Sequence, residues 1–161
     1  MYPAGTVLKL NFGSFYHYGL ADGAGKVIHN SKARLKVTIE SYKDFADGKE
    51  IIVSDISSKE PSRSVTMAMR YIGMPYNLLS ANCEQFVRLC HGLEIESTQV
   101  QQYLLAAFGA GIALKSDNPY VKASGGAVAL ASYLTPTEKS PFKNAGIAAL
   151  IAIGIVALAG A

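Results

Sequence analysis

Few side chains in this sequence can act as nucleophile or base: two cysteines, Cys83 and Cys90, and three histidines, His17, His29 and His91. A thiolate nucleophile needs a base, and the base needs a group that orients it. His17 and His29 flank Asp22-Gly23-Ala24-Gly25, a hairpin turn signal. If the turn is centred on Gly23, positions summing to 46 face each other and the two imidazoles stand side by side, with Cβ atoms ~5 Å apart. A lone histidine on a strand is more often a core or surface residue, but a facing pair fits that reading less well.

Both cysteines fall in the stretch SANCEQFVRLC, Ser80–Cys90. Asn82 is a good helix N-cap, and Gln85 three residues on completes a capping-box pattern. Cys83 is then the first helical residue, where the helix dipole favours a thiolate and backbone N–H groups converge on an oxyanion. The other cysteine readings weaken on geometry. Seven residues along one helix separate two Cα atoms by ~10 Å, whereas a disulfide needs less than about 7 Å. A zinc site from Cys83, Cys90 and His91 lacks the close cysteine pair such sites use. Cys90, on the apolar stripe with Phe86, Val87, Leu89 and Leu93, reads as a buried small hydrophobe.

The elements that must position these residues are legible in outline. Alternation predicts strands over Thr6–Phe12, Phe15–Ala21, Lys26–Ser31, Arg34–Glu40 and Glu50–Ile56, with Leu8, Leu10 and Phe12 on one face of the first and Leu35, Val37 and Ile39 on one face of the fourth. A short helix over 41–47 is capped by Ser41 and stopped at Gly48. Pro61 opens a longer one, with Val65, Met69 and Ile72 at helical spacing and Gly73 and Pro75 closing it. Tyr76–Ala81 reads as a loop. A helix starts near Asn82 and another after Ser97.

Charge divides the chain. Residues 1–102 hold eleven Lys/Arg and ten Asp/Glu; residues 103–161 hold four Lys and two acids among Ala, Gly, Leu and Ile. The net charge of +3 is small and scattered, which argues against nucleic acid as a partner. The expected organisation is a catalytic domain over 1–102, an apolar helical extension over 103–143 and a transmembrane or membrane-anchoring helix over 144–161. Ala145–Ala161 has no charge in 17 residues. At ~1.5 Å per residue it reaches about 26 Å, enough to cross a thin membrane with Lys139 and Lys143 at its start. Those lysines leave the N-terminal domain on the cytoplasmic side. The alternative is a buried core helix. The runs 104–114 and 123–134 are too short to span singly. The opening residues show no signal-peptide pattern, so the expectation is an unexported domain with free thiols.

Two segments carry a resemblance. HYGLADGAGKVIH (His17–His29) and YNLLSANCEQFV (Tyr76–Val87) resemble the two signature blocks of the lecithin:retinol acyltransferase-like family, within the NlpC-type, circularly permuted papain-like superfamily. The likeness runs over roughly residues 3–114. It implies an α+β fold, an antiparallel sheet packed on helices. It also implies Cys83 as nucleophile, His17 as general base and acid, and His29 as the residue that orients His17. The implied reaction takes an acyl group from a phospholipid, holds it as a thioester, and passes it to water or an acceptor, with no metal or other cofactor. A membrane-anchoring C-terminal helix is common among animal members. The chain departs from the pattern at Gln85, where the family has His, and at Tyr18, where Trp is common. Its tail is longer and more broken than a single anchor helix.

The expected function is a membrane-anchored thiol acyltransferase or phospholipase A, whose partners are a phospholipid acyl donor, an unidentified acceptor and the bilayer. A cysteine peptidase or amidase of the same superfamily would share all three residues. A non-catalytic membrane adaptor would have no need to keep them, and a pore-forming role for the apolar runs is a weaker variant.

Overall fold

The computed structural model describes residues 1–159, so the last two residues of the expected 144–161 anchor lie outside the described residues. The chain forms two compact units, Met1–Ser97 and Thr98–Ala161.

The first unit is built on a five-stranded antiparallel sheet in the order β4-β3-β2-β1-β5. The strands are β1 (Val7–Asn11), β2 (Tyr16–Ala21), β3 (Lys26–Ser31), β4 (Lys36–Ser41) and β5 (Ile52–Val53). With α1 (Tyr42–Ala46), α2 (Pro61–Arg70) and α3 (Cys83–Cys90), this is the expected α+β class. β5 is far shorter than the Glu50–Ile56 alternation implies. Alternating side chains feed two cores. Tyr18, Leu20 and Ile28 pack with Phe86, Val87 and Ala68 of the helices. Leu8, Leu10, Ala21 and Val27 pack with Phe45 of α1.

Three local expectations change. The β2–β3 hairpin pairs Leu20 with Ile28 and Ala21 with Val27, so facing positions sum to 48 and the turn is centred on Ala24, not Gly23. The cause is the Asp22 carboxylate, which accepts from the N–H groups of Ala24 and Lys26 and organises a three-residue loop. Gly23 and Gly25 supply its positive φ angles. Leu35, assigned to an apolar strand face, is 67% exposed and left-handed in the β3–β4 turn. On α2 the buried positions are Ser64 and Ala68; Val65 packs only in part, and Met69 and Ile72 stay exposed. The chain passes close to the start of α2: a Cβ on Gly5 would lie 1.8 Å from the Pro61 carbonyl oxygen.

Gly19 repeats this logic at the sheet. A Cβ there would fall 2.4 Å from Val27 Cγ1 and 2.8 Å from Phe45 Cε2. Its missing side chain is what lets Phe45 settle on the sheet. Gly19→Ala is therefore expected to lower the unfolding free energy by about 1–3 kcal/mol, as overpacked cores do, measured by urea titration.

The second unit holds α4 (Thr98–Lys115), α5 (Pro119–Leu134) and α6 (Phe142–Ala159). Helices α4 and α5 cross with their backbones in contact: a Cβ on Gly109 would sit 2.6 Å from the Gly125 carbonyl oxygen, and the reverse distance is 2.7 Å. Gln102 Nε2 donates to the carbonyls of Thr135 and Pro136, and Asn144 Nδ2 donates to Thr135 Oγ1. Helix α6 has a mean hydropathy of 2.0 and is long and apolar enough to cross a membrane. Only 6% of it is buried, which does not fit a core helix.

Candidate active site

Cys83 opens α3 behind a complete capping box. Asn82 Oδ1 accepts from Glu84 N–H and Gln85 N–H, and Gln85 Oε1 accepts from Asn82 N–H. Gln85 Nε2 also donates to the Leu79 carbonyl, so this residue ties the preceding loop to the helix. The cap consumes donors that the sequence reading assigned to an oxyanion. In the first turn the N–H of Cys83 itself remains uncommitted by it.

The β2–β3 ladder ends at Leu20 and Ile28, and the start of α3 fills the opening beyond it. Asn30 Nδ2 of β3 donates to the Ala81 carbonyl at 2.7 Å. On the β2 side, Cys83 Sγ lies 4.0 Å from the Tyr16 carbonyl oxygen, at the peptide that leads into His17. Both cysteines are buried and free, and Cys90 belongs to the core with Phe86 and Val87.

Burial dominates the thiol. It pushes Cys83 up to about 11, against the pull of the N–H groups of Tyr18, Glu84 and Cys83. The helix-start thiolate expected from the dipole is therefore not the resting form; desolvation outweighs the dipole here. Tyr76 is pushed up to about 12, by burial first and then by the Cys83 charge.

The two histidines come together, though not as a facing pair. With facing positions summing to 48 they are diagonal neighbours on one face, and the rings are large enough to bridge the diagonal. His17 Nε2 and His29 Nδ1 lie 2.7 Å apart. His29 Nε2 lies 3.0 Å from Glu40 Oε2, and Arg34 Nε holds the other oxygen of Glu40 at 3.1 Å. Phe45 packs against both imidazoles, with ring centroids 5.6 and 5.1 Å away. These contacts select tautomers. Glu40 accepts, so His29 carries its proton on Nε2. His29 Nδ1 then accepts from His17 Nε2–H, and the lone pair of His17 falls on Nδ1. Among the described residues no hydrogen bond joins Cys83 to His17.

Glu40 and Phe45 are site residues that the sequence reading missed. Glu40 enters through strand register: Thr38 faces His29, and Glu40, two residues on, shares its sheet face. His91 stands apart from this group, its Nδ1 3.0 Å from Ser58 Oγ.

Burial, then the neighbouring His29, lowers His17 from its ordinary value to about 3. His29 is lowered too, by burial first and against the pull of Glu40. The linkage sign follows. Between pH ~6.5 and about 3 an unfolded His17 binds a proton that the folded one refuses. Stability is greatest above that window and falls with acidification, by about 1.4 kcal/mol per pH unit for this group. Urea titrations at pH 7, 6, 5 and 4 should show a shallower decline in His17→Gln than in wild type.

The histidines line a cavity of about 600 Å³, together with Leu10, Phe12, Phe15 and Phe45. Its wall thus mixes bases with aromatic carbon. Comparison with curated proteins finds no match. A model of the family described as lecithin retinol acyltransferase matches residues 2–94, which takes in both signature blocks and ends short of the helix start at Ser97. A match over more than half of the chain, across the whole sheet and α3, places the protein in the lecithin retinol acyltransferase family, a domain of general acyltransferase and phospholipase-like activity.

Proposed function

We propose that the protein is a membrane-anchored thiol acyltransferase or phospholipase A working through a Cys83 thioester. The observation that carries this reading is the Glu40–His29–His17 relay, which ends beside the peptide that Cys83 touches. The relay leaves His17 Nδ1 as the basic atom. In the proposed first step a phospholipid ester carbonyl comes within reach of Cys83 Sγ. The thiol proton passes to His17 Nδ1 as the C–S bond forms, so no free thiolate has to accumulate in a site that disfavours it. His29 Nδ1 holds His17 Nε2–H, and Glu40 stabilises the resulting imidazolium through His29. The Cys83 N–H is the proposed oxyanion donor. His17 then returns the proton to the departing lysophospholipid alkoxide, leaving an acyl thioester. Water or an acceptor hydroxyl or amine, deprotonated by His17, releases the acyl group in the second half.

Under this reading residues 1–102 form the catalytic domain, facing the cytoplasm. Residues 103–143 are an apolar helical extension and 144–161 the membrane anchor. The partners are the phospholipid donor, the acceptor and the bilayer, with no nucleic acid and no cofactor. The exposed apolar surface of α6 supports the anchor, since a helix of this kind lowers its free energy in lipid.

The test is intact-mass analysis of the full chain in detergent with phosphatidylcholine labelled in each acyl chain. An acyl adduct on the protein, sensitive to hydroxylamine and accompanied by lysolipid, is the expected result. No adduct and no lysolipid, with cleavage of a peptide substrate instead, would turn the assignment to a peptidase.

A further inference from the structure

One end of the sheet in the first unit gathers apolar side chains that stay exposed. The β1–β2 turn presents Phe12 and Phe15, 40% and 41% exposed, stacked at 5.1 Å with an interplanar angle of 5°. The β3–β4 turn presents Leu35, and the loop before Cys83 presents Leu78 and Leu79, 57% and 65% exposed. These last two segments are joined: Tyr76 N–H donates to the Leu35 carbonyl at 2.9 Å, and Lys36 bridges Pro75.

The exposure of the leucine pair does not come from a loose loop. Asn77 and Ala81 exchange two backbone hydrogen bonds, at 3.0 and 2.9 Å. Asn77 Oδ1 accepts from the N–H groups of Leu79 and Ser80, and Asn82 Nδ2 and Gln85 Nε2 donate to the carbonyls of Leu78 and Leu79. All of these bonds use backbone and amide groups, and the two isobutyl groups stay exposed. Holding two leucines rigidly in water offers the fold nothing, whereas a lipid phase would bury them.

Charge identifies the occupant. The β3–β4 turn reads Ser31-Lys32-Ala33-Arg34-Leu35-Lys36, with three cations around the exposed leucine. Arg34 is shared with Glu40, and Asp44 and Asp47 line the same cavity, so the cations left to meet a surface are Lys32 and Lys36. Apolar side chains flanked by cations on long stems match an interface whose surface is anionic and whose interior is hydrocarbon. Phe12, Phe15, Lys32 and Arg34 also line the histidine cavity, so the same surface frames its mouth.

We propose that this end of the first unit, Phe12, Phe15, Leu35, Leu78 and Leu79 with Lys32 and Lys36, docks on an anionic phospholipid bilayer and immerses the leucine loop next to Cys83. The purpose rests on the acyl-transfer reading, for docking brings the ester to the thiol without drawing the whole lipid into water. The measurement does not rest on it.

The chain contains no tryptophan, so a single one can report depth. Full-length Leu79→Trp and Leu78→Trp are reconstituted with vesicles containing phosphatidylserine and phosphatidylcholine brominated in the acyl chains. Val53→Trp, on the edge strand opposite Leu8 near the start of β1, is the control. Strong quenching and a blue shift are expected for the two loop variants but not for the control. Lys32→Gln and Lys36→Gln should each weaken docking about fivefold, in the presence of phosphatidylserine only. Loop tryptophans quenched no more than the control, or quenched equally in purely neutral lipid with no effect of the lysines, would overturn the proposal. Repeating the quenching in a Cys83→Ala background separates failure of docking from failure of the chemistry.

Discussion

Cys83→Ser is expected to lower acyl transfer by about 10⁴-fold, some 5 kcal/mol of transition-state stabilisation, while Cys90→Ser should change it by no more than about twofold. The asymmetry comes from position. Cys83 is held by the cap at the helix start, with Sγ against the β2 backbone at the entry to His17. Cys90 lies two turns on, buried in the core and pushed up to about 12 by that burial. Serine retains the hydrogen-bonding geometry at position 83. Its hydroxyl is much harder to deprotonate, and a relay tuned for a thiol does not compensate. Single-turnover release of lysolipid from labelled phosphatidylcholine measures the effect, with circular dichroism to show that both variants fold. Equal losses in the two variants would mean that packing, not nucleophilicity, is being read.

Leu150→Asp with Ile151→Asp is expected to release the protein from membranes and leave the first unit folded. Both side chains are exposed near the middle of α6, at 71% and 58%. On an aqueous surface aspartates at such positions cost almost nothing. At the centre of a membrane-spanning helix each costs about 2.5–3.5 kcal/mol, so the pair opposes insertion by about 5–7 kcal/mol, a factor of 10³ or more in partition. The same substitution is thus nearly silent in one reading and decisive in the other. Carbonate-resistant sedimentation of the expressed chain is the measurement. A doubly substituted protein that still resists extraction would show that α6 is not the anchor.

Local chemistry carried most of what sequence alone could say. The cap at Asn82, the stop at Gly48, the proline start of α2 and the separation of Cys83 from Cys90 depend on residues within a few positions of one another, where propensity and hydrogen-bonding reach are decisive. The two signature blocks identified the family for the same reason: each is a short contiguous run. The apolar character of α6 is a property of composition and was legible in the same way.

Tertiary structure decided what depends on register, burial and strand partners. A loop centred one residue later than expected moved His17 and His29 to a diagonal, yet two rings of that size still meet across it. Glu40 joins them because β4 pairs with β3, a fact about register. The state of the Cys83 thiol reversed the sequence expectation, because dipole and cap are local while desolvation sums over everything packed around the sulfur. Sequence thus singled out the residues proposed for the chemistry and the segment apolar enough for lipid. Only the folded sheet decided the tautomers of the relay, the protonated resting thiol and the rigid exposure of Leu78 and Leu79, since each arises from contacts between segments far apart in the chain.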